Sequence, residues 1–395
     1  MKPVLFLDTC LSFGGDSQVL LDMLSQIDSR RFRPFVAVNA NGVLGQRLRK
    51  RNHIELIDCD FGQTGRALRR LFSLVKTVVR LLFVIAVERI QVVHVNNPIS
   101  GRTTLTAFAL KLLTLGRIKL VFHAHCDTGS SRHTKLLARA SSEIWSISDF
   151  ITDHYKNLGV KENRIRPMPN CNAFREIYPA AGLQVRRKFN LCSRDLLFVH
   201  VGRLSPTKGQ DITLEAFAFA CGKREDCYLL FVGDDSLADG NDGFVARLKA
   251  RCRELQIEHR VFFAGFSRDT DAYYASADLV LVPSRSEPFG LVFLEAANAL
   301  TPVLVSDVGG LHEVASQTAK LTTYSPNPEA FAAGMRDFLT GELSQDTRKT
   351  RERLRAAYSE QAFRTRLNHA FTELLDPEST DTRLATVSDS KGLSS

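Results

Sequence analysis

No two cysteines of this 395-residue sequence stand in C-x-x-C spacing, and its eight cysteines follow no metal-ligand rhythm. That scatter argues against a disulfide framework and against a zinc module. Long apolar runs are also missing. The longest local candidate, Leu81 to Val87, has seven residues, against the roughly 18 needed to cross a bilayer. The opening MKPVLFLDTC lacks the charged region, apolar run and small-residue cleavage site of a signal peptide, so a cytoplasmic, reducing location is expected. Acidic residues are scarce in one half only. Residues 1–170 hold 25 Lys and Arg against 13 Asp and Glu, a charge of +12, whereas the remainder holds 27 against 30, or −3. Such asymmetry suggests that the first half meets a phosphate-rich partner or an anionic membrane surface, unless it is an ordinary solvated face.

What is present is a globular composition, 44% hydrophobic and 24% charged, in a chain long enough for about two domains. Short aliphatic runs such as PVLFLD, IQVVHVN, KLVFHAH, LLFVHVG and ADLVLVP alternate with longer helical patterns. Near-continuous apolar strands joined by helices read as parallel sheets covered on both faces, with ligands beyond the strands' C-terminal ends. Six such runs precede Asn170 and five follow it, so two doubly wound α/β domains are expected. The expected divisions are 1–172, 173–360, a terminal helix 361–375 returning towards the first domain, and a disordered Ser, Thr and Asp-rich tail 376–395.

The segment 65–90, GRALRRLFSLVKTVVRLLFVIAVERI, is apolar at nearly every helical position, while Arg66, Arg69, Arg70, Lys76 and Arg80 interrupt its first half. It reads either as a core helix with basic residues at its edge or as a helix lying among anionic headgroups. The basic first half tilts the reading towards membrane contact.

Two loops carry the chemistry. In VHVGRLSPTKGQDITLEAF, Gly202 and Arg203 follow a strand, and Lys208 and Gly209 precede a helix. A guanidinium and an ammonium on one tight loop suit a diphosphate, although a surface cation pair has the same residues. In DLVLVPSRSEPFGLVFLEAANAL, a strand leads into Glu287, Pro288, Phe289 and Gly290, then a helix bearing Glu295. Helix-start amides and a glycine allow close approach of a phosphate or sugar oxygen, and carboxylates accept bonds from vicinal hydroxyls.

These residues resemble glycosyltransferase family 4, most specifically through E-P-F-G-L-x-x-x-E from Glu287 to Glu295. Arg203 with Lys208 and Gly209, F-x-G at Phe263 to Gly265, and D-V-G-G-L-H-E at Asp307 to Glu313 fall in the family's order. The resemblance covers about residues 6–375. It implies the GT-B fold, two facing Rossmann-like doubly wound parallel-sheet domains with a cleft between them. It also implies retaining transfer from a nucleotide-sugar. Arg203 and Lys208 would bind the diphosphate, Glu287 the transferred sugar and Glu295 the ribose hydroxyls. Backbone at Gly202, Phe289, Gly290 and Leu291 would line the donor, with Gly14 and Gly15 facing the diphosphate. His125, in VFHAHCD, matches the position near the anomeric centre, with His123 its competitor. Where the family shows P-N-G-V-D, this chain has Pro169 to Ala173 as PNCNA, losing the Gly and the Asp.

No metal or other cofactor is expected. Asp234 and Asp235 follow a glycine at a strand end and read as a turn rather than as a D-x-D ion site. The expected partners are the nucleotide-sugar and a glycan or lipid-linked acceptor, with no nucleic acid. The rivals are a sugar-nucleotide epimerase, which needs no acceptor, a cofactor-dependent phosphorylase, for which no lysine stands out, and a non-catalytic sugar-nucleotide binder.

Overall fold

The computed structural model describes residues 1–9, 14–61, 67–96, 101–127, 132–235 and 243–376. Of the segments named above, Gly65, Arg66 and all of the tail 376–395 except Asp376 lie outside the described residues. The chain divides into two compact units. One comprises Met1–Cys171 together with the chain from Glu360, and the other is Asn172–Ser359.

Among the described residues the first unit holds strands β1 (Lys2–Leu7), β2 (Phe32–Val38), β3 (Glu55–Asp58), β4 (Val92–Val95), β5 (Lys119–Ala124), β6 (Glu143–Ser146) and β7 (Ile165–Pro167). The second holds β8 (Leu196–Val201), β9 (Cys227–Val232), β10 (Val261–Phe263), β11 (Leu279–Val282), β12 (Val303–Ser306) and β13 (Thr323–Tyr324). The sheet orders are β3-β2-β1-β4-β5-β6-β7 and β10-β9-β8-β11-β12-β13, and every ladder between these strands is parallel. Both sheets are therefore doubly wound and Rossmann-like. The winding reverses between β1 and β4 in one and between β8 and β11 in the other, where such sheets place their ligands.

The sheets contain seven and six strands rather than the six and five read from apolar runs. The additions, β7 and β13, are edge strands of three and two residues. Neither is buried enough to need an apolar run, and Pro167 is tolerated because an edge strand can lack one ladder donor.

Helix Glu360–Leu375 belongs to the first unit's core. Its Phe371 ring meets Phe6 and Phe32 at 5.8 Å and Trp145 at 5.1 Å. Asn368 Oδ1 accepts from Asp28 N at 2.8 Å, and Arg166 bridges Glu143 and Glu373 at 2.8 and 2.6 Å. Phe371 is fully buried, so Phe371→Ala should lower the first unit's stability by about 3–5 kcal/mol, the range for emptying a core aromatic position. Urea denaturation followed by the single tryptophan, Trp145, would read that loss.

Helix Ala67–Glu88 is apolar on two faces. Val78, Leu81 and Ile85 point inwards and are buried, but Leu68, Phe72, Val75, Val79, Phe83 and Val87 are exposed. A core helix with only basic residues outside does not describe it. Among the described residues no helix is long and apolar enough to cross a membrane.

Candidate functional site

The second unit's switch point gathers the two sequence loops. The loop after β8 runs from Gly202 to Gly209, that after β11 runs from Pro283 to Gly290, and β8 and β11 are hydrogen-bonded neighbours. Lys208 Nζ lies 2.6 Å from Glu287 Oε2, and Ser284 Oγ donates to the same oxygen at 3.5 Å. Both charged side chains are largely buried. Arg203 is exposed at the loop's start, and its guanidinium has no partner among the described residues. One paired cation and one unpaired cation thus occupy a single strand end.

The two loops are tied together. Arg285 N donates to Thr207 O at 2.8 Å, and its guanidinium holds Pro206 O at 2.6 Å and both Asp211 oxygens at 2.8 and 2.6 Å. Burial acts to raise the Asp211 pKa, but Arg285 outweighs it and holds the carboxyl below its ordinary value. From below, Gln210 Nε2 donates to Arg203 O at 3.0 Å and to His200 Nε2 at 3.2 Å, while Gln210 Oε1 accepts from Ser205 N at 3.2 Å. His200 Nε2 is then an acceptor, so Nδ1 carries the proton and donates to Thr213 Oγ1 at 2.7 Å. Burial, aided by Lys208, pushes His200 down to about 3, in keeping with a neutral ring.

Backbone geometry explains two glycines. Gly209 has φ +76°, and a Cβ there would strike the carbonyl oxygen of Pro283, so the loop can lie against the end of β11 only without a side chain. Gly290 has φ +102°, and a Cβ would come within 2.7 Å of Leu311 Cδ1. It caps helix Leu291–Asn298, whose first backbone bond runs from Phe293 N to Gly290 O at 3.0 Å. The Leu291 and Val292 amides precede that bond, as first-turn amides do. The Phe289 side chain is buried edge-on to Tyr358 at 5.3 Å, leaving only its backbone for a ligand.

Glu295 sits on that helix, and Tyr274 OH donates to its Oε2 at 2.7 Å. Burial, and then the adjoining carboxylate, hold the Tyr274 hydroxyl well above its ordinary pKa, so it stays a donor. This bond fixes the orientation of the Glu295 carboxylate. Asp307 and the next helix lie beside the loop, with Leu311 N donating to Glu287 O at 3.3 Å and His312 Nδ1 paired with Asp307 Oδ1.

In the first unit, Gly14 caps helix Gly15–Gln26, and a Cβ on Gly15 would meet nothing within 4 Å. Packing therefore does not require glycine at position 15. His125 follows β5, and its Nε2 lies 3.2 Å from Asn96 Oδ1. Asn96 Nδ2 donates to buried Asp8 Oδ2 at 2.8 Å and to Asp16 O at 3.0 Å, so its oxygen accepts from His125 Nε2–H. The network leaves Nδ1 as the basic nitrogen. His125 is partly exposed, and burial holds it below its ordinary pKa. His123 is fully buried, with its ring 4.2 Å from that of His125 and 5.3 Å from that of His94, so it is a core residue.

Asn96, Asp8, Gln210, His200, Arg285 and Tyr274 were not singled out by the sequence reading. Some signal was there for His200, a polar residue inside the apolar run LLFVHV.

Two family models match the chain. The model described as Glycosyl transferases group 1 matches residues 184–361, and that described as Glycosyltransferase Family 4 matches residues 13–171. Over 156 residues the chain is 35% identical to an uncharacterized glycosyltransferase of Methanocaldococcus jannaschii, covering 39% of this chain and 38% of that protein. Over 167 residues it is 30% identical to the mannosylfructose-phosphate synthase of Agrobacterium fabrum, covering 41% of this chain and 36% of that one. These matches span little more than a third of either relative's own length. The crystal structure of Anabaena HepE in complex with UDP-glucose superposes with a TM-score of 0.78 at 22% identity, covering 94% of this chain and all of that one. The fold is GT-B. With the two models taking in both units in family order, the chain belongs to glycosyltransferase family 4, the group 1 glycosyl transferases.

Proposed function

We propose that the protein is a retaining glycosyltransferase, moving a hexose from a UDP- or GDP-sugar to a hydroxyl of a glycan or lipid-linked acceptor in polysaccharide or cell-envelope glycan synthesis. The observation that carries this reading is the Lys208–Glu287 contact at the β8–β11 switch point, with Arg203, unpaired among the described residues, on the same loop. UDP-glucose in HepE and the sugar-phosphate synthase among the relatives support it.

In this reading Arg203 and Lys208 hold the diphosphate and Glu287 holds sugar hydroxyls. Glu295, steadied by Tyr274, holds the ribose. Backbone at Gly202, Phe289, Gly290 and Leu291 approaches the donor. The acceptor oxygen bonds to the anomeric carbon as that carbon's bond to the phosphate oxygen breaks. The acceptor's proton passes to the leaving phosphate oxygen, on the face from which the nucleoside diphosphate departs. No enzyme nucleophile is needed. Positioning and charge neutralisation by the two cations lower the barrier, and no metal or other cofactor is assigned a step. The reading includes a cytoplasmic location with peripheral contact between residues 65–90 and an anionic membrane.

The test is a panel of UDP- and GDP-hexoses, each incubated with candidate acceptors. Proton NMR of the product should show the donor's anomeric configuration kept in the new linkage. An inverted linkage would remove the retaining mechanism, and a new sugar-nucleotide formed without acceptor would identify an epimerase.

A further inference from the structure

The first unit carries an exposed apolar surface that extends beyond residues 65–90. Helices Ala67–Glu88, Gly101–Leu113 and Arg132–Ala140 make the crossovers from β3 to β4, β4 to β5 and β5 to β6, and each packs beside the next. On the first, the exposed residues Leu68, Phe72, Val75, Val79, Phe83 and Val87 recur at helical spacing along one stripe. On the second, Leu105, Phe108 and Leu112 form a parallel stripe, continued beyond the helix end by Leu115 at 83% exposure. Soluble proteins seldom leave contiguous surface of this kind uncovered.

Charge selects the occupant. The three helices hold nine Lys and Arg residues and one acidic residue, Glu88, which is paired with Arg33 at 2.9 Å. Arg69, Arg70, Lys76, Arg132, Lys135 and Arg139 are all exposed. Two copies of the chain meeting through this face would bring two such sets together with almost no opposing carboxylate, an arrangement that like-charge repulsion disfavours. A lipid surface with anionic headgroups complements both features, with apolar stripes at the acyl boundary and cations among the phosphates.

We infer that the face formed by helices 67–88, 101–113 and 132–140 is a docking surface for an anionic lipid bilayer, entered by apolar stripes on two helices rather than one. This deepens the lipid-linked branch of the acceptor reading and rests on it. The occupant is a bilayer surface and not a single lipid in a pocket.

The experiment is co-sedimentation of the full chain with vesicles of phosphatidylcholine alone and of phosphatidylcholine with phosphatidylglycerol. The paired variants are Phe72→Ser with Phe83→Ser, Phe108→Ser with Leu112→Ser, and Arg69→Glu with Arg70→Glu. Wild type should bind the anionic vesicles at least tenfold more strongly than the neutral ones, and each variant should lose at least tenfold of that binding. Thermal unfolding and nucleoside diphosphate release from a soluble donor should be unchanged in the variants, which separates docking from folding and from the donor site. A Phe108→Ser, Leu112→Ser variant that binds like wild type would overturn the two-helix surface. Equal wild-type binding to both vesicle types would overturn the anionic partner. Self-association abolished by these substitutions, without vesicle binding, would assign the face to a second copy instead. If wild type docks on vesicles but releases no nucleoside diphosphate from any donor, the donor reading fails and the surface stands.

Discussion

Replacing Lys208 by Met should lower turnover with the preferred nucleotide-sugar by about 100-fold or more, the scale for removing one preorganised charge donor at a reacting centre. Glu287→Gln should do the same through loss of grip on the sugar. Both residues are largely buried and in contact at 2.6 Å, so each single change also strands its partner. Stranding a charge destabilises, whereas removing both members of such a pair is close to neutral. The melting temperature should therefore fall in each single variant and recover in the double variant Lys208→Met, Glu287→Gln. Turnover should stay low in all three. A purely structural pair behaves differently, because activity would recover along with stability. Arg203→Ala removes an exposed cation that has no partner among the described residues, so it should reduce turnover at least tenfold with no change in melting temperature. Near-wild-type activity in any of these single variants would remove the site from the β8–β11 switch point.

Lowering the pH from 8 to 5 should destabilise both units. Burial holds His94 and His200 down at about 3, against an ordinary value of 6.5. Between those values the unfolded chain binds a proton at each site that the folded chain does not, so stability is full above 6.5 and falls as the pH drops towards 3. At pH 5 the loss is about 2 kcal/mol for each histidine, at 1.36 kcal/mol per pH unit below 6.5. His94 lies in the first unit and His200 in the second, so neither is spared. Buried His123, also pushed down, adds to the loss in the first unit. The depressed carboxyl of Asp211 acts only below its ordinary value of 3.8, outside this window. His94→Phe keeps a ring against Phe6 and Trp145, and should reduce the pH dependence of the first unit by its own share, leaving that of His123 and His125 and leaving the second unit unchanged. Urea midpoints that do not move between pH 8 and pH 5 would contradict this account.

The strands of both sheets were legible because parallel strands buried on two faces must be apolar throughout, as in KLVFHA and LLFVHV. Edge pieces such as Thr323–Tyr324 carry no such demand and left no pattern. At the site, the charged residues were legible because Arg203, Lys208, Glu287 and Glu295 stand at loops that punctuate strand-to-helix transitions. Their supports were not. Arg285 with Asp211 joins positions 74 residues apart, and Tyr274 with Glu295 joins positions 21 apart on different elements. A single sequence contains no periodicity that pairs them. The second apolar stripe was hidden for another reason. On helix Gly101–Leu113 the buried side carries Thr103, Thr104, Thr106 and Ala107 beside a single leucine, Leu110, while Leu105, Phe108, Leu112 and Leu113 are exposed, blurring the contrast from which a helix's inner face is read.

The central claim is that the switch point between β8 and β11 holds the diphosphate of a nucleotide-sugar. Calorimetric titration of UDP and of GDP into wild type and the Lys208→Met variant tests it most directly. One of the two nucleotides should bind wild type at a single site and bind the variant at least tenfold more weakly. No binding of either to wild type, or equal affinity in the variant, would contradict the claim.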